Sequence, residues 1–239
     1  MKMKIKMLLG LLLPALIMGA SCDDEKIDGK QTPRYYEYFI GIYYSMDLAL
    51  EPGYVDEQGK MCLVTLTRGE NNVSFTSPDY TNPNHVTQFL KIAKRNGDDF
   101  KSTDYPLFWY ERKALSDNLV SIHITSDSDW DESHPAGTPL DELFEIVLNS
   151  FTEYLRNGYA FADTSSDNPD PIISGARKIV KKVSELTADE LAIIQYNPVF
   201  TVLSSPTLAE EHTLTFTLTN TDGKEYSLTT TFKPTKFVP

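Results

Sequence analysis

Strict alternation of apolar and polar residues is clearest at the end of the chain. Leu214, Phe216 and Leu218 alternate with threonines, Asp222-Gly223 supplies a turn, and Tyr226, Leu228 and Phe232 return. This predicts a β-hairpin with one apolar face and one threonine-covered face. Val120, Ile122 and Ile124 alternate in the same way with Ser121, His123 and Thr125, which predicts a half-buried strand over 119–125. Tyr36 to Leu50, rich in aromatic and β-branched residues, reads as a long strand that stops at Glu51-Pro52-Gly53. Lys60 to Thr67 reads as a second strand antiparallel to it, and Leu107 to Ala114 as a further one.

Other stretches carry a helical period. Asn84 is the expected cap of a helix to about Arg95, with Val86, Phe89, Leu90 and Ala93 on one face and Asn96-Gly97 as its stop. Between Thr138 and Gly158, Leu140, Leu143, Phe144, Val147, Leu148, Phe151 and Leu155 share a helical face, and Pro139 suits the first helical position. A helix is the favoured reading there; a buried strand over LFEIVL followed by a short helix is the alternative. Ala162 to Pro171 reads as a loop. Ile172, Ile173, Ala176, Ile179, Val180 and Val183 predict another helix, and Thr187-x-x-Glu190 a capping box opening a short one. Strands at both ends with helices between give a β-rich α+β domain, either an antiparallel sheet or a β-sandwich with short helices packed on it.

The first 21 residues have a different pattern. Three lysines among Met1–Lys6 precede the uncharged run Met7 to Ala20, which is too short to cross a bilayer comfortably. Basic, apolar and small-residue zones in that order are the layout of an export signal. Gly19-Ala20-Ser21-Cys22 resembles the bacterial lipoprotein signal, in which cleavage precedes a cysteine that is then lipidated; an ordinary secretory signal cut near Ala20 is the alternative. Asp23-Asp24-Glu25 resembles the surface-export signal of Bacteroides-type lipoproteins, which implies an outer-membrane protein anchored by lipid and facing the exterior. The DESHPAGT loop and the final hairpin are similar to uncharacterised surface lipoproteins of that group, a resemblance that implies no activity. The expected organisation is a signal over 1–21, a lipidated Cys22 and tether over 22–34, and one globular domain over 35–239.

Charge and composition narrow the function. Removing residues 1–21 takes away three of the 22 lysines and arginines and none of the 34 acids, which moves the formal charge from −12 to −15. Such a surface repels nucleic acid and anionic headgroups, so the expected membrane contact is the lipid alone. With 41% hydrophobic residues the chain can bury a core. Cys62, the second of two cysteines, has no partner once Cys22 is lipidated; its strand context suggests a buried, inert thiol.

Catalytic signatures are sparse: there is no Gly-x-Ser-x-Gly, His-Glu-x-x-His, phosphate loop or dinucleotide fingerprint. His85, His123 and His212 stand at element starts or on an outward strand position, where surface roles are expected. The aromatics of Tyr35-Tyr36-Glu37-Tyr38-Phe39 and Tyr43-Tyr44 suit core packing first and sugar stacking second. Trp130, flanked by Asp129 and Asp131, is expected at the surface, because burying it would draw two carboxylates inward. This predicts a solvated structural loop, a glycan contact through Trp130, Asp129 and Asp131, or a calcium loop on Asp127, Asp129 and Asp131. The calcium pattern breaks at Glu132 and Thr138. The functional expectation is a non-catalytic binding or adhesion module for a glycan or a surface protein, with a carboxylate-dependent glycosidase as the alternative.

Overall fold

The computed structural model describes residues 37–52, 62–100, 112–160, 175–209 and 211–233, with backbone alone at 52, 62 and 63. Chain contacts divide the protein into Met1–Arg34 and Tyr35–Pro239, and all described residues lie in the second unit. That unit is β-rich α+β, built from largely antiparallel sheets and a few short helices.

Five strands form the largest sheet: β2 (Leu48–Pro52), β3 (Cys62–Arg68), β7 (Phe144–Ser150), β8 (Arg177–Lys182) and β9 (Val199–Val202). Their order is β2-β3-β9-β7-β8, every neighbour antiparallel. The four-residue β9 therefore joins the β2-β3 pair to the β7-β8 pair. A second sheet, β6-β10-β11, takes β6 (Leu119–Ser126) from mid-chain and β10 (His212–Asn220) and β11 (Glu225–Phe232) from the terminal hairpin. The two sheets share one core. Phe200 of β9 and Phe144 of β7 meet the edge of Phe216 of β10, at 4.9 and 6.3 Å between ring centres.

A small sheet, β4-β1-β5, holds a separate core. It contains β1 (Ile42–Tyr44), β4 (Ser74–Thr76) and β5 (Lys113–Leu115), with β1 and β5 parallel. Phe39, Ile40 and Tyr43 pack there against Phe89, Ile92 and Ala93 of α1 (Val86–Asn96) and Phe151 and Leu155 around α2 (Thr152–Arg156). The described aromatics at 39, 43 and 44 are buried; Tyr35 and Tyr36 lie outside the described residues.

Several expectations need correction. The predicted strand over 36–50 is two short strands, β1 and β2, with an interruption at 45–47. The favoured helix over 138–158 is a 3-10 turn at Asp141–Leu143, then β7, then the five-residue α2. Phe144, Ile146, Leu148 and Ser150 alternate inward, and pairing with β8 on one side and β9 on the other outweighs the helical period. The predicted helix after Ile172 is β8: Ile179 is buried while Val180 faces out, a split that a helix face would not give. Asn84 does not cap α1, since the capping position is His85 in a left-handed conformation; Gly97 ends the helix as expected. The capping box is present, with α3 (Ala188–Leu191) opened by reciprocal bonds between Thr187 and Glu190.

Gly175 is required where the chain enters β8. Its φ is +85°, and a Cβ there would stand 2.2 Å from the Phe39 ring and 3.0 Å from Tyr154. Gly175→Ala is expected to lower stability by about 1–3 kcal/mol through overpacking and left-handed strain. Urea unfolding reads this directly, and an unchanged midpoint would refute it.

Candidate functional site

The outer face of the β6-β10-β11 sheet is the most regular surface of the described protein. Alternation sends Ile122, Ile124, Leu214, Phe216 and Leu218 into the core and their neighbours outward. Register then sets the outward residues in rows: Thr125, Thr215 and Thr229; His123, Thr217 and Ser227; Ser121, Thr219 and Glu225. Thr213 and Thr231 begin a fourth row. Adjacent strands are about 4.8 Å apart and alternate residues about 6.8 Å apart along each strand, so the hydroxyls form a grid. Only His123 and Glu225 among these eleven residues carry an ionisable side chain; the other nine are serine or threonine. Threonines directly opposite one another also support the pairing.

A rim borders this face along β6. Pro139 forms a bridge with Thr125, and Leu140 N–H donates to the Ile124 carbonyl at 2.8 Å. Asp141 accepts from Ile124 N–H at 2.7 Å through one oxygen and contacts His123 Nδ1 at 2.8 Å through the other. Next to it in the chain, Glu142 Oε1 lies 3.2 Å from His134 Nε2, while His134 Nδ1 lies 2.8 Å from Asp131 Oδ1. Hydrogen bonding from His134 holds the Asp131 carboxyl below its usual value. Asp131 and then Glu142 hold His134 above its own.

Trp130 overturns the expectation of an exposed ring. Its side chain is 0% exposed, its Nε1–H donates to the Ser204 carbonyl at 3.0 Å, and it stacks on Phe232 at 5.6 Å and 14°. His212 and Phe144 pack at 4.8 and 5.8 Å. No face is open to a sugar. The flanking carboxylates are not drawn in, because alternation turns them outward. Asp129 accepts from Ala136 N–H, and Asp131 from the N–H groups of Ser133 and His134. Asp127 accepts from Thr213 N–H at 2.7 Å, a bond that keeps its carboxyl low. The three aspartates thus serve backbone groups, and among the described residues no group of three or more His, Cys, Asp or Glu is placed to hold a metal ion.

His212 also departs from expectation. It starts β10 as predicted but is fully buried, with Nδ1 2.8 Å from Ser126 Oγ and Nε2 3.3 Å from the Ala209 carbonyl. The carbonyl requires the proton on Nε2, so Ser126 donates to Nδ1. Neither side chain of this Ser–His pair reaches solvent in a way that admits a substrate. His85 and His123 are exposed, as expected. Cys62 begins β3 opposite Thr201, but the expectation about its thiol lies outside the described side chains. Cys22, Asp23, Asp24 and Glu25 lie outside the described residues as well.

Sequence reading passed over one buried acid. Asp98, 3% exposed, follows α1 and accepts from Phe39 N–H at 2.7 Å and Ile40 N–H at 2.8 Å, with the Tyr159 hydroxyl donating at 3.3 Å. Burial pushes its pKa up to about 6, against these bonds. Its position just past the Gly97 stop gave no local signal, since its partners lie some sixty residues away on either side.

No family model, curated protein or solved structure matches the chain. Among the described residues, no helix is long and apolar enough to cross a membrane.

Proposed function

We propose that the protein is a non-catalytic binding module, held by lipid at Cys22 on the exterior of the outer membrane, whose contact surface is the hydroxyl face of β6, β10 and β11. The observation that carries this reading is that face: nine of its eleven outward residues are serine or threonine, on a chain of net charge −12. Each hydroxyl both donates and accepts, and short side chains give up little rotamer freedom on contact. Such a face suits a neutral, hydroxyl-bearing partner such as a glycan, while the surrounding acidity disfavours polyanions. The acid-rich loop supports binding over hydrolysis, because Asp127, Asp129 and Asp131 hold backbone in place. The export signal, with Asp23-Asp24-Glu25 behind Cys22, supports the location.

An array of neutral glycans tests the reading. Thr215→Lys/Thr217→Lys should abolish the wild-type signal while leaving the unfolding midpoint near wild type, and Cys22→Ser should release the protein from the membrane fraction. Wild-type and double-lysine profiles that coincide would refute the assigned face, and membrane retention of Cys22→Ser would refute the anchor.

A further inference from the structure

We propose that His134 is a pH-operated clasp on the loop enclosing Trp130: as an imidazolium it ties the Asp131–His134 turn to Glu142, and as a neutral ring it releases that tie. The geometry of the two nitrogens carries the inference. Nδ1 is 2.8 Å from Asp131 Oδ1 and Nε2 is 3.2 Å from Glu142 Oε1. A neutral imidazole has one N–H and one lone pair. In either neutral tautomer, one lone pair therefore faces a carboxylate oxygen. Only the protonated ring donates at both ends.

His123 provides the contrast. One of its nitrogens meets a carboxylate, Asp141 at 2.8 Å. A neutral ring with its proton on Nδ1 still donates to Asp141, more weakly than a charged one, so this contact needs no second proton. Asp141 and Glu142 are consecutive in the 3-10 turn that leads into β7, so one turn receives a permanent histidine contact and a conditional one.

The conditional contact acts on the loop as a unit. Asp131 also accepts from Ser133 and His134 N–H, so the turn keeps its own shape when the ring deprotonates. The shorter contact, to Asp131, keeps the one remaining proton on Nδ1, so what is lost is the bond from Nε2 to Glu142. Trp130 sits under that link: its N–H donates to the His134 carbonyl at 2.9 Å, and its carbonyl accepts from Thr207 N–H at 2.8 Å. Gly137 N–H fastens the far side of the loop to the Ser126 carbonyl at 2.8 Å.

The groups facing the ring are Asp131 from its own turn and Glu142 from the 3-10 turn. Nearby charges are engaged elsewhere: Asp129 with Ala136, Asp127 with Thr213, Asp141 with His123 and Ile124, and Glu211 with Lys233 at 2.8 Å. Glu132 is exposed on the turn, and His212 packs against the Trp130 ring, bonded to Ser126. Both facing carboxylates favour the charged ring, so its pKa is raised above the ordinary 6.5. The clasp's contribution is complete below 6.5 and is lost as pH rises through the raised value.

Nuclear magnetic resonance on the purified protein tests this, with ring signals and amide exchange followed across pH in wild type and Glu142→Gln. In wild type, His134 should titrate above 6.5. Exchange protection at Trp130 and Gly137, corrected for intrinsic rates, should fall by about two- to fivefold through the same titration, the size of one exposed charged contact. Glu142→Gln should lower the His134 midpoint and remove the pH dependence of protection at Trp130 and Gly137, because the amide oxygen accepts from a charged ring and the amide N–H donates to a neutral one. An unmoved His134 midpoint in Glu142→Gln, or constant protection through the wild-type titration, would overturn the proposal. Unchanged His123 and core signals in the variant guard against misfolding as the cause.

Discussion

Trp130→Ala is expected to lower the unfolding free energy by about 3–5 kcal/mol, the range for deleting a buried aromatic. The ring is 0% exposed and fills the end of the sandwich between Phe144, His212 and Phe232. Alanine leaves a cavity between elements that are far apart in sequence, and these cannot collapse independently. It also removes the donor to the Ser204 carbonyl. Trp130→Phe separates most of the two contributions, since it keeps the larger part of the ring volume while losing the indole N–H and the five-membered ring that carries it. It should cost about 1–2 kcal/mol, close to one hydrogen bond with some loss of packing. Urea unfolding followed by far-ultraviolet circular dichroism measures both. A Trp130→Ala penalty below about 1 kcal/mol would mean that the ring is not the packed element described here.

Asp98 is expected to make the protein more stable at pH 4 than at pH 7 as far as this group is concerned. Its folded pKa is about 6, against an ordinary value of 3.8. Between those values the folded state binds a proton that the unfolded state does not, so stability falls as pH rises from about 4 to about 6. A shift of that size corresponds to roughly 3 kcal/mol across the window. Other carboxylates pull the opposite way: Asp117 and Glu190 are held low by their hydrogen bonds and lose stability in acid. The Asp98 contribution is isolated by comparing wild type with Asp98→Asn at both pH values. The variant should remove the downward slope between pH 4 and 6, although its amide leaves the Phe39 or Ile40 N–H without an acceptor. Parallel stability–pH curves for the two proteins would refute the assignment.

Local signals survived into the fold, and long-range ones did not. The terminal hairpin was legible because alternation and the Asp222-Gly223 turn sit within twenty residues. The capping box was legible because its two partners are three residues apart. β7 was misread because Leu143, Phe144, Val147 and Leu148 satisfy both the helical and the two-residue period, and the partners that decide between them are remote. β9 escaped notice because four residues after Asn197-Pro198 carry too little pattern. The threonine face could be read from sequence as two strands wide; its third strand, β6, adds His123, and some ninety residues of chain separate it from β10. At Trp130 the misreading was physical. By composition Asp129-Trp130-Asp131 reads as exposed, whereas an extended segment places adjacent side chains on opposite sides.

The position of β9 has a consequence for how the chain reaches this state. The β2-β3 and β7-β8 pairs remain unconnected within their sheet until residues 199–202 enter between them. The opposing sheet, in turn, lacks two of its three strands until residues 212–232 are available. Loop closure over such separations comes before most of the contacts that reward it, which places this topology among slow folders, on the order of milliseconds to seconds. A chain assembled in this order stays open through most of its synthesis. That openness leaves the unpaired strand edges of both half-built sheets available to other chains until the last segments arrive.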